Sequence, residues 1–149
     1  MKRWSGAESG GFTLIEAIIA IAIFAIIIAI AIPVYSNFTD NNKISTSISQ
    51  IEADLRNAKQ KATATGTTYQ VSYTTNSTYY SISGKGSSVN LNLNSGVKIH
   101  SSSSGSPISL YPAYEASKKQ TSSGTIVIYL GSKKASIVIS ENGKINEGP

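Results

Sequence analysis

One acidic residue, Glu16, lies inside the longest apolar stretch of the sequence. No other residue between positions 12 and 39 carries a charged side chain. Placing a carboxylate near the centre of a membrane helix costs about 2.5–3.5 kcal/mol. A carboxylate kept in such a stretch is therefore predicted to have a function, and a cationic partner is the group that would offset its cost.

The other polar residues show no pattern typical of a catalytic or metal site. His100, the single histidine, precedes Ser101–Ser104, but a nucleophile also needs a group that orients its base, and no aspartate follows Asp54. The sequence has no cysteine, no metal-type spacing of histidine and carboxylates, and no glycine-rich phosphate loop. We therefore predict neither catalytic residues nor a bound metal or cofactor, and we interpret His100 as an exposed loop residue.

The stretch around Glu16 has the length and composition of a membrane-spanning helix. Ala17–Val34 is 18 consecutive uncharged residues within a 24-residue apolar segment, 12–35, and about 20 such residues cross a hydrocarbon core. Its large apolar side chains contribute at most about 4–8 kcal/mol to insertion, which outweighs one carboxylate near its end. Because Lys2 and Arg3 flank the N-terminal side, the positive-inside rule predicts a cytoplasmic N-terminus.

A cleaved secretory signal peptide and a plain signal anchor are the alternatives for this segment. The basic start and the pair Ala29-x-Ala31 fit a signal peptide. However, the apolar run is longer than the roughly 7–15 residues of a signal peptide, and Glu16 would lie in its first turn.

The residues Gly11-Phe12-Thr13-Leu14-Ile15-Glu16, behind a short basic leader and ahead of a long apolar helix, resemble the signature of type IV prepilins and type II secretion pseudopilins. This resemblance implies cleavage by prepilin peptidase between Gly11 and Phe12, N-methylation of the new Phe12 amine, and a helix kink at Pro33. It also implies that Glu16 is an assembly residue, paired in a helical filament with the terminal amine of a neighbouring subunit. A carboxylate that reaches out to the membrane interface is the alternative for Glu16.

A second periodic segment follows the apolar one. Small and large apolar residues recur at spacings of three and four, which predicts one buried face of an amphipathic helix: Ile44, Ile48, Ile51, Leu55, Ala58 and Ala62. Gly66 is the predicted C-terminal stop.

The rest of the sequence alternates short β-type runs with turn residues. The predicted strands are Thr67–Tyr73, Thr78–Ser83, Val89–Leu93, Val97–Ile99, Ile108–Tyr111, Thr125–Leu130 and Ala135–Ser140, with a last pairing at Lys144-Ile145. Gly84-Lys85-Gly86 and Gly131–Lys134 are predicted turns, and the region from Tyr114 to Ser123 is predicted to be irregular.

A helix followed by hairpin-linked strands predicts an α+β fold in which the long helix packs on an antiparallel sheet or two small sheets. The predicted divisions are a leader peptide at 1–11, a transmembrane or filament-core helix at 12–35, an amphipathic helix at 36–66, and a β-rich head at 67–149.

A further set of residues resembles minor pseudopilins of the GspH/FimT type: Asp54–Lys59 with Ala62 and Gly66, Gly124–Ile126, Ile137–Ile139 and Gly143–Ile145. A major pilin would be expected to have a cysteine pair, which is missing. Glu115, Glu141 and Glu147 are too widely spaced for the calcium loop of a major pseudopilin.

The resemblance implies a structural subunit of a type IV pilus or a type II secretion pseudopilus, and not an enzyme. Its partners would be prepilin peptidase, other pilin or pseudopilin subunits, and the inner-membrane assembly platform. It would begin as a single-pass protein of the bacterial inner membrane, with its head in the periplasm or outside the cell after assembly.

The alternative function is a binding module whose head recognises a surface, an exported substrate or DNA through tyrosine and lysine residues. In some minor pilins of DNA uptake, a terminal Gly-basic-x-basic patch contacts DNA. Here Gly143 and Lys144 are present but Asn146 stands in the last basic place, so a nucleic-acid partner is not favoured.

Overall fold

The structure is a computed structural model that describes residues 11–112 and 121–148. Leader residues 1–10, together with Tyr114 and Glu115, lie outside the described residues. Among the described residues, one helix, α1 (Leu14–Thr65), is followed by eight strands: β1 (Tyr69–Tyr73), β2 (Tyr79–Gly84), β3 (Ser87–Asn92), β4 (Lys98–Ile99), β5 (Ile108–Leu110), β6 (Gly124–Leu130), β7 (Lys133–Ile139) and β8 (Ile145–Glu147).

The chain divides into two compact units, an N-terminal unit (Met1–Phe38) and a C-terminal unit (Thr39–Pro149). The described part of the N-terminal unit is mainly the first half of α1. Pro33 lies inside this helix, which continues on both sides of it. The kink at Pro33 stays a prediction.

Within the C-terminal unit, α1 buries one face. All six residues of the predicted apolar stripe, from Ile44 to Ala62, are buried, and this prediction is confirmed. Ser47 is buried on the same face, where its hydroxyl accepts a hydrogen bond from the side-chain amide of Asn94 at 3.1 Å. The helix ends at Thr65, and Gly66 then adopts a φ of +63°, a left-handed conformation in which glycine commonly terminates helices.

The strands form two antiparallel sheets of four strands each. The first sheet has the order β3-β2-β1-β5 and the second has the order β4-β6-β7-β8. Apolar residues at alternate strand positions, such as Ile126 and Ile128 on β6 or Ile137 and Ile139 on β7, are buried. They share one core with the buried face of α1 and with Val71 of β1. The predicted α+β fold, a long N-terminal helix with antiparallel sheets, is confirmed.

Two predicted turns are shorter than expected, because each is a two-residue hairpin. Between β2 and β3, Lys85 and Gly86 both have positive φ angles, as a type I′ turn requires, so Gly84 remains in the strand and pairs with Ser87. Between β6 and β7 only two residues intervene, and Leu130 pairs with Lys133. Lys133 and Lys134 are therefore strand residues, not turn residues.

Candidate assembly segment and head groove

The first described residues lead into α1. Gly11, Phe12 and Thr13 precede the helix, which begins at Leu14. The Thr13 side-chain oxygen accepts a hydrogen bond from the backbone N–H of Glu16 at 3.3 Å, and the Thr13 carbonyl accepts one from Ala17 at 3.2 Å. Thr13 is therefore the N-cap residue of α1.

This cap gives Glu16 a local role that the sequence analysis missed. Thr13 and Glu16 have the Thr-x-x-Glu spacing of a capping box, in which the acidic residue follows the cap by three positions. Glu16 also lies in the first helical turn, where the helix dipole favours a negative charge. In the sequence, the Thr-x-x-Glu spacing of Thr13 and Glu16 was the signal available for the cap and for the first-turn position of Glu16.

The structure places Phe12 and Glu16 at the same helix end, while Pro33 lies 17 residues beyond Glu16. The Phe12 side chain is 81% exposed. A Cβ built on Gly11 would meet no atom within 4 Å, and the φ of Gly11 is not left-handed. Within the described residues, neither packing nor a left-handed backbone conformation requires glycine at position 11.

The N-terminal unit exposes large apolar side chains all around its helix. Among the described residues its isoleucines, phenylalanines, Leu14 and Val34 are each more than half exposed. The most apolar 18-residue window of α1 has a mean hydropathy of 3.2 and no buried residue, so by length and composition it can cross a membrane. A helix that is apolar on every side needs an apolar environment on every side, either lipid or other helices.

A basic groove lies in the C-terminal unit. It has a volume of about 710 Å³ and lies between the last turns of α1 and the β7–β8 turn. Its cationic lining residues are Arg56, Lys59 and Lys144. Arg56 is paired with Glu52 at 2.5 Å, and the Lys59 ammonium donates a hydrogen bond to the Gly143 carbonyl at 3.2 Å.

The groove brings together residues that are far apart in the sequence. Gly143, Lys144 and Asn146 line it, and the helix supplies Arg56 and Lys59 beside them. In the sequence, only residues 143–146 of this group are contiguous. The helix thus places two cationic side chains, Arg56 and Lys59, in the same groove as Asn146.

His100 is partly buried, not exposed as predicted. Its Nδ1 lies 2.7 Å from the Ser102 hydroxyl oxygen and accepts a hydrogen bond from the Ser102 backbone N–H at 3.1 Å. Its ring meets the ring of Tyr129 edge-on at 5.4 Å. In the described part of the chain, no group of three or more histidines and carboxylates is arranged to hold a metal ion.

A tyrosine–carboxylate pair connects the first sheet to α1. The Tyr80 hydroxyl donates a hydrogen bond to Asp54 Oδ2 at 2.5 Å, and the Tyr80 side chain is 1% exposed. Burial raises the pKa of Tyr80 well above its usual value, and the hydrogen bond and the charge of Asp54 act in the same direction. Tyr80 therefore stays protonated and acts as a structural donor.

Comparison with known proteins gives one matching family model, two similar proteins and no matching solved structure. Residues 8–32 match the family model described as the prokaryotic N-terminal methylation motif. Two fimbrial proteins of Pseudomonas aeruginosa are each 39% identical to this chain over 72 residues, which is 48% of this chain. The match covers 46% of each relative, so the chain spans about half the length of the curated relatives it matches. No solved structure matches the chain with comparable significance.

Proposed function

We propose that this chain belongs to the type IV pilin family and is a minor structural subunit made as a prepilin-like precursor. The N-terminal methylation motif, the match to fimbrial proteins and the α+β fold support this proposal. Prepilin peptidase would cut the bond between Gly11 and Phe12, and the new Phe12 amine would be methylated. The mature subunit would then join a filament through its N-terminal helix. The GspH/FimT-like residues favour a minor subunit, in either a type IV pilus or a type II secretion pseudopilus.

The observation that carries this proposal is the position of Glu16. It is the one carboxylate among the described residues of the N-terminal unit, whose large apolar side chains are all more than half exposed, and it lies in the first turn behind the Thr13 cap. When such a helix packs among copies of itself, Glu16 leaves water and needs a cation. The amine created at Phe12 is the nearest cation that processing would supply.

Pairing between subunits makes Glu16 a determinant of register. A buried charge without its partner costs about 3–5 kcal/mol, whereas a paired and hydrogen-bonded charge is tolerated. A helix displaced along its neighbour would separate the amine from the carboxylate, because successive residues advance about 1.5 Å along the axis. Only one axial position satisfies both charges.

The same helix accounts for the proposed location. Before assembly it would anchor the precursor in the inner membrane with a cytoplasmic N-terminus, where the peptidase acts. Apolar side chains spaced by three and four residues also leave a shallow apolar depression along it, of the kind that accepts side chains of a neighbouring helix: Ile27, Ile30, Ala31, Val34, Tyr35 and Phe38. The assembly platform would transfer the helix from lipid to these neighbours.

Glu16→Ala tests the proposal. We expect this variant to insert in the membrane and to be cleaved, but to be missing from sheared filaments or from cross-linked pseudopilus fractions. Glu52→Ala changes a carboxylate of the same helix outside the apolar segment and should assemble normally. Normal incorporation of Glu16→Ala would overturn the assembly role.

N-terminal sequencing of the mature protein tests the processing step separately. We expect the sequence to begin at Phe12. Gly11→Ala should be cut at least partly, because no atom of the protein opposes a Cβ there, whereas Gly11→Trp should retain its leader. A mature protein that begins at any other residue would contradict the proposed cleavage.

The basic groove favours a second candidate function, recognition of an anionic chain such as DNA or an acidic exported substrate. Arg56 and Lys144 would contribute phosphate contacts, and such contacts make affinity fall steeply with salt. We expect Lys144→Gln to weaken DNA binding and to reduce its salt dependence, with Lys85→Gln as a charge-matched control outside the groove. Equal binding by both variants would contradict this function.

A further inference from the structure

A row of basic and aromatic side chains lies on the outer face of the second sheet. Tyr129 is directly opposite Lys98 on one side and Lys134 on the other. Residues opposite each other on adjacent strands share a face of the sheet. The next residues, Ile99 and Ile128, are buried on the other face, so the row of Lys98, Tyr129 and Lys134 faces outward.

This lysine–tyrosine row lies at the end of the C-terminal unit where its helical segment begins. Lys133 and Lys134 line a groove of about 220 Å³ together with Asn41 and Ser45 of α1. Asn41 is only two residues from Thr39, the first residue of this unit. Because Asn41, Lys133 and Lys134 line the same groove, the row lies at the end of the C-terminal unit that contains Thr39.

The charge at this end is positive. Lys43 adds a fourth lysine, and its Nζ lies 3.8 Å from Oδ1 of Asp40. Glu147 lines the same small groove. Among the residues described at this end, four lysines outnumber two carboxylates, and Lys98 and Lys134 are exposed to solvent.

Chain connectivity limits how far this end can lie from the membrane surface. Asn41 follows Tyr35, the last residue of the proposed membrane segment, by six residues. Six residues span at most about 22 Å even when they are fully extended. The lysines beside Asn41 can therefore reach the outer headgroups of a bilayer that the chain leaves at Tyr35.

We propose that the lysine–tyrosine row, with Lys133, docks on anionic phospholipid headgroups while the subunit is anchored in the membrane. This inference rests on the proposed membrane-anchored precursor. Lysines near an anionic bilayer each contribute about 1 kcal/mol of attraction, and tyrosine is enriched at the membrane–water interface. Docking would hold the C-terminal unit against the outer leaflet until the subunit is extracted into a filament.

The cysteine-free sequence allows a single-probe test in the full chain. Ser132→Cys places a fluorophore at the β6–β7 turn beside the row. Ser87→Cys places one directly after the β2–β3 turn, at the strand residue that pairs with Gly84. Each labelled protein is reconstituted in nanodiscs that carry a headgroup-attached quencher. The discs contain either phosphatidylcholine alone or mostly phosphatidylglycerol.

We expect the Ser132 probe to be quenched more strongly in phosphatidylglycerol than in phosphatidylcholine, and the Ser87 probe to be quenched weakly in both. Lys133→Gln with Lys134→Gln should lower the docked-to-undocked ratio by up to about fivefold per lysine, the equivalent of about 1 kcal/mol each. The charge-matched pair Lys61→Gln with Lys85→Gln should leave quenching unchanged.

Equal quenching of the Ser132 probe in the two lipids, or no effect of the Lys133 and Lys134 substitutions, would overturn the inference. If the lysines instead bind carboxylates of other subunits, quenching would not depend on the lipid, because each disc contains a single copy of the protein. Extraction of the protein from the discs by alkaline carbonate measures anchoring separately. A chain that is not anchored would overturn the proposed precursor as well, whereas an anchored chain without headgroup docking would overturn this inference alone.

Discussion

Two tyrosine hydroxyls tie separate elements of the C-terminal unit together. Tyr80 of β2 bonds to Asp54 of α1. Tyr73 of β1 donates to the carbonyl oxygens of Ser104 and Thr125, and so connects the two sheets. Burial raises the pKa of Tyr73 to about 12 from its usual value of 10.0, because the ionised form would lose hydration.

The raised pKa values predict loss of stability in alkali. The unfolded chain releases the tyrosine protons near pH 10, whereas the folded chain keeps the Tyr73 proton until about pH 12. Unfolding therefore releases protons in this window, and the free energy of unfolding falls as pH rises from 10 to 12. The contribution of Tyr73 is fully present below pH 10. Tyr73→Phe should reduce the slope, as measured by urea unfolding at a series of pH values.

Tyr79→Phe is the control that separates the ionisation of Tyr73 from the general effect of losing a tyrosine hydroxyl. Tyr79, adjacent to Tyr80, is 48% exposed, and Tyr79→Phe should leave the free energy of unfolding at neutral pH unchanged. If Tyr73→Phe and the unsubstituted protein lose stability identically between pH 10 and 12, the half-buried Tyr73 hydroxyl does not control alkaline unfolding.

At the scale of elements, α1 serves two environments along one continuous helix. Its first half is apolar on all sides, and its second half is apolar on one face only. The matched residues Leu14 and Leu55 show the difference, since their side chains are 79% and 0% exposed. The same residue type therefore has opposite energetic roles in the two halves.

Leu55→Ala is expected to lower the free energy of unfolding of the C-terminal unit by about 2–5 kcal/mol, because it leaves a cavity in a packed core. Leu14→Ala removes the same atoms from an exposed position and should leave that free energy unchanged. Thermal and urea unfolding followed by the near-ultraviolet signal of the tyrosines would measure both. Similar losses for the two variants would contradict the division of roles along α1.

Sequence periodicity was sufficient to predict the elements in which buried residues recur at a regular spacing. The spacing of Ile44, Ile48, Ile51 and Leu55 predicted the buried face of α1, and alternation predicted the strands. The two hairpins were harder, because their length depends on φ angles at Lys85 and Gly131 rather than on hydrophobic pattern.

The two candidate sites also differ in how far the sequence alone could predict them. The Gly11–Glu16 segment is contiguous, so its residue types and spacing carried the hypothesis without a structure. The basic groove is not contiguous, since Arg56 and Lys144 are 88 positions apart and meet only through the packing of β8 and its preceding turn near α1. No local pattern contains that information.

At the scale of the whole molecule, the core belongs to one unit. Every buried apolar side chain among the described residues lies at or after Ile44. The described residues of the N-terminal unit contribute none of them, although they include most of the large exposed apolar side chains. The described core of the C-terminal unit therefore uses no buried apolar contact from the N-terminal unit.

This separation predicts that residues 39–149 fold without the N-terminal unit. The fragment keeps all of the described core and both sheets, and it loses only side chains that need lipid or neighbouring helices. We expect it to be soluble and monomeric by light scattering, to unfold in one cooperative transition, and to show the same loss on Leu55→Ala as the full chain in detergent. A control fragment starting at residue 58 lacks Ile44, Ile48, Ile51 and Leu55 and should not fold. A 39–149 fragment that binds hydrophobic dyes and unfolds without cooperativity would show that the apolar helix is needed for the core itself.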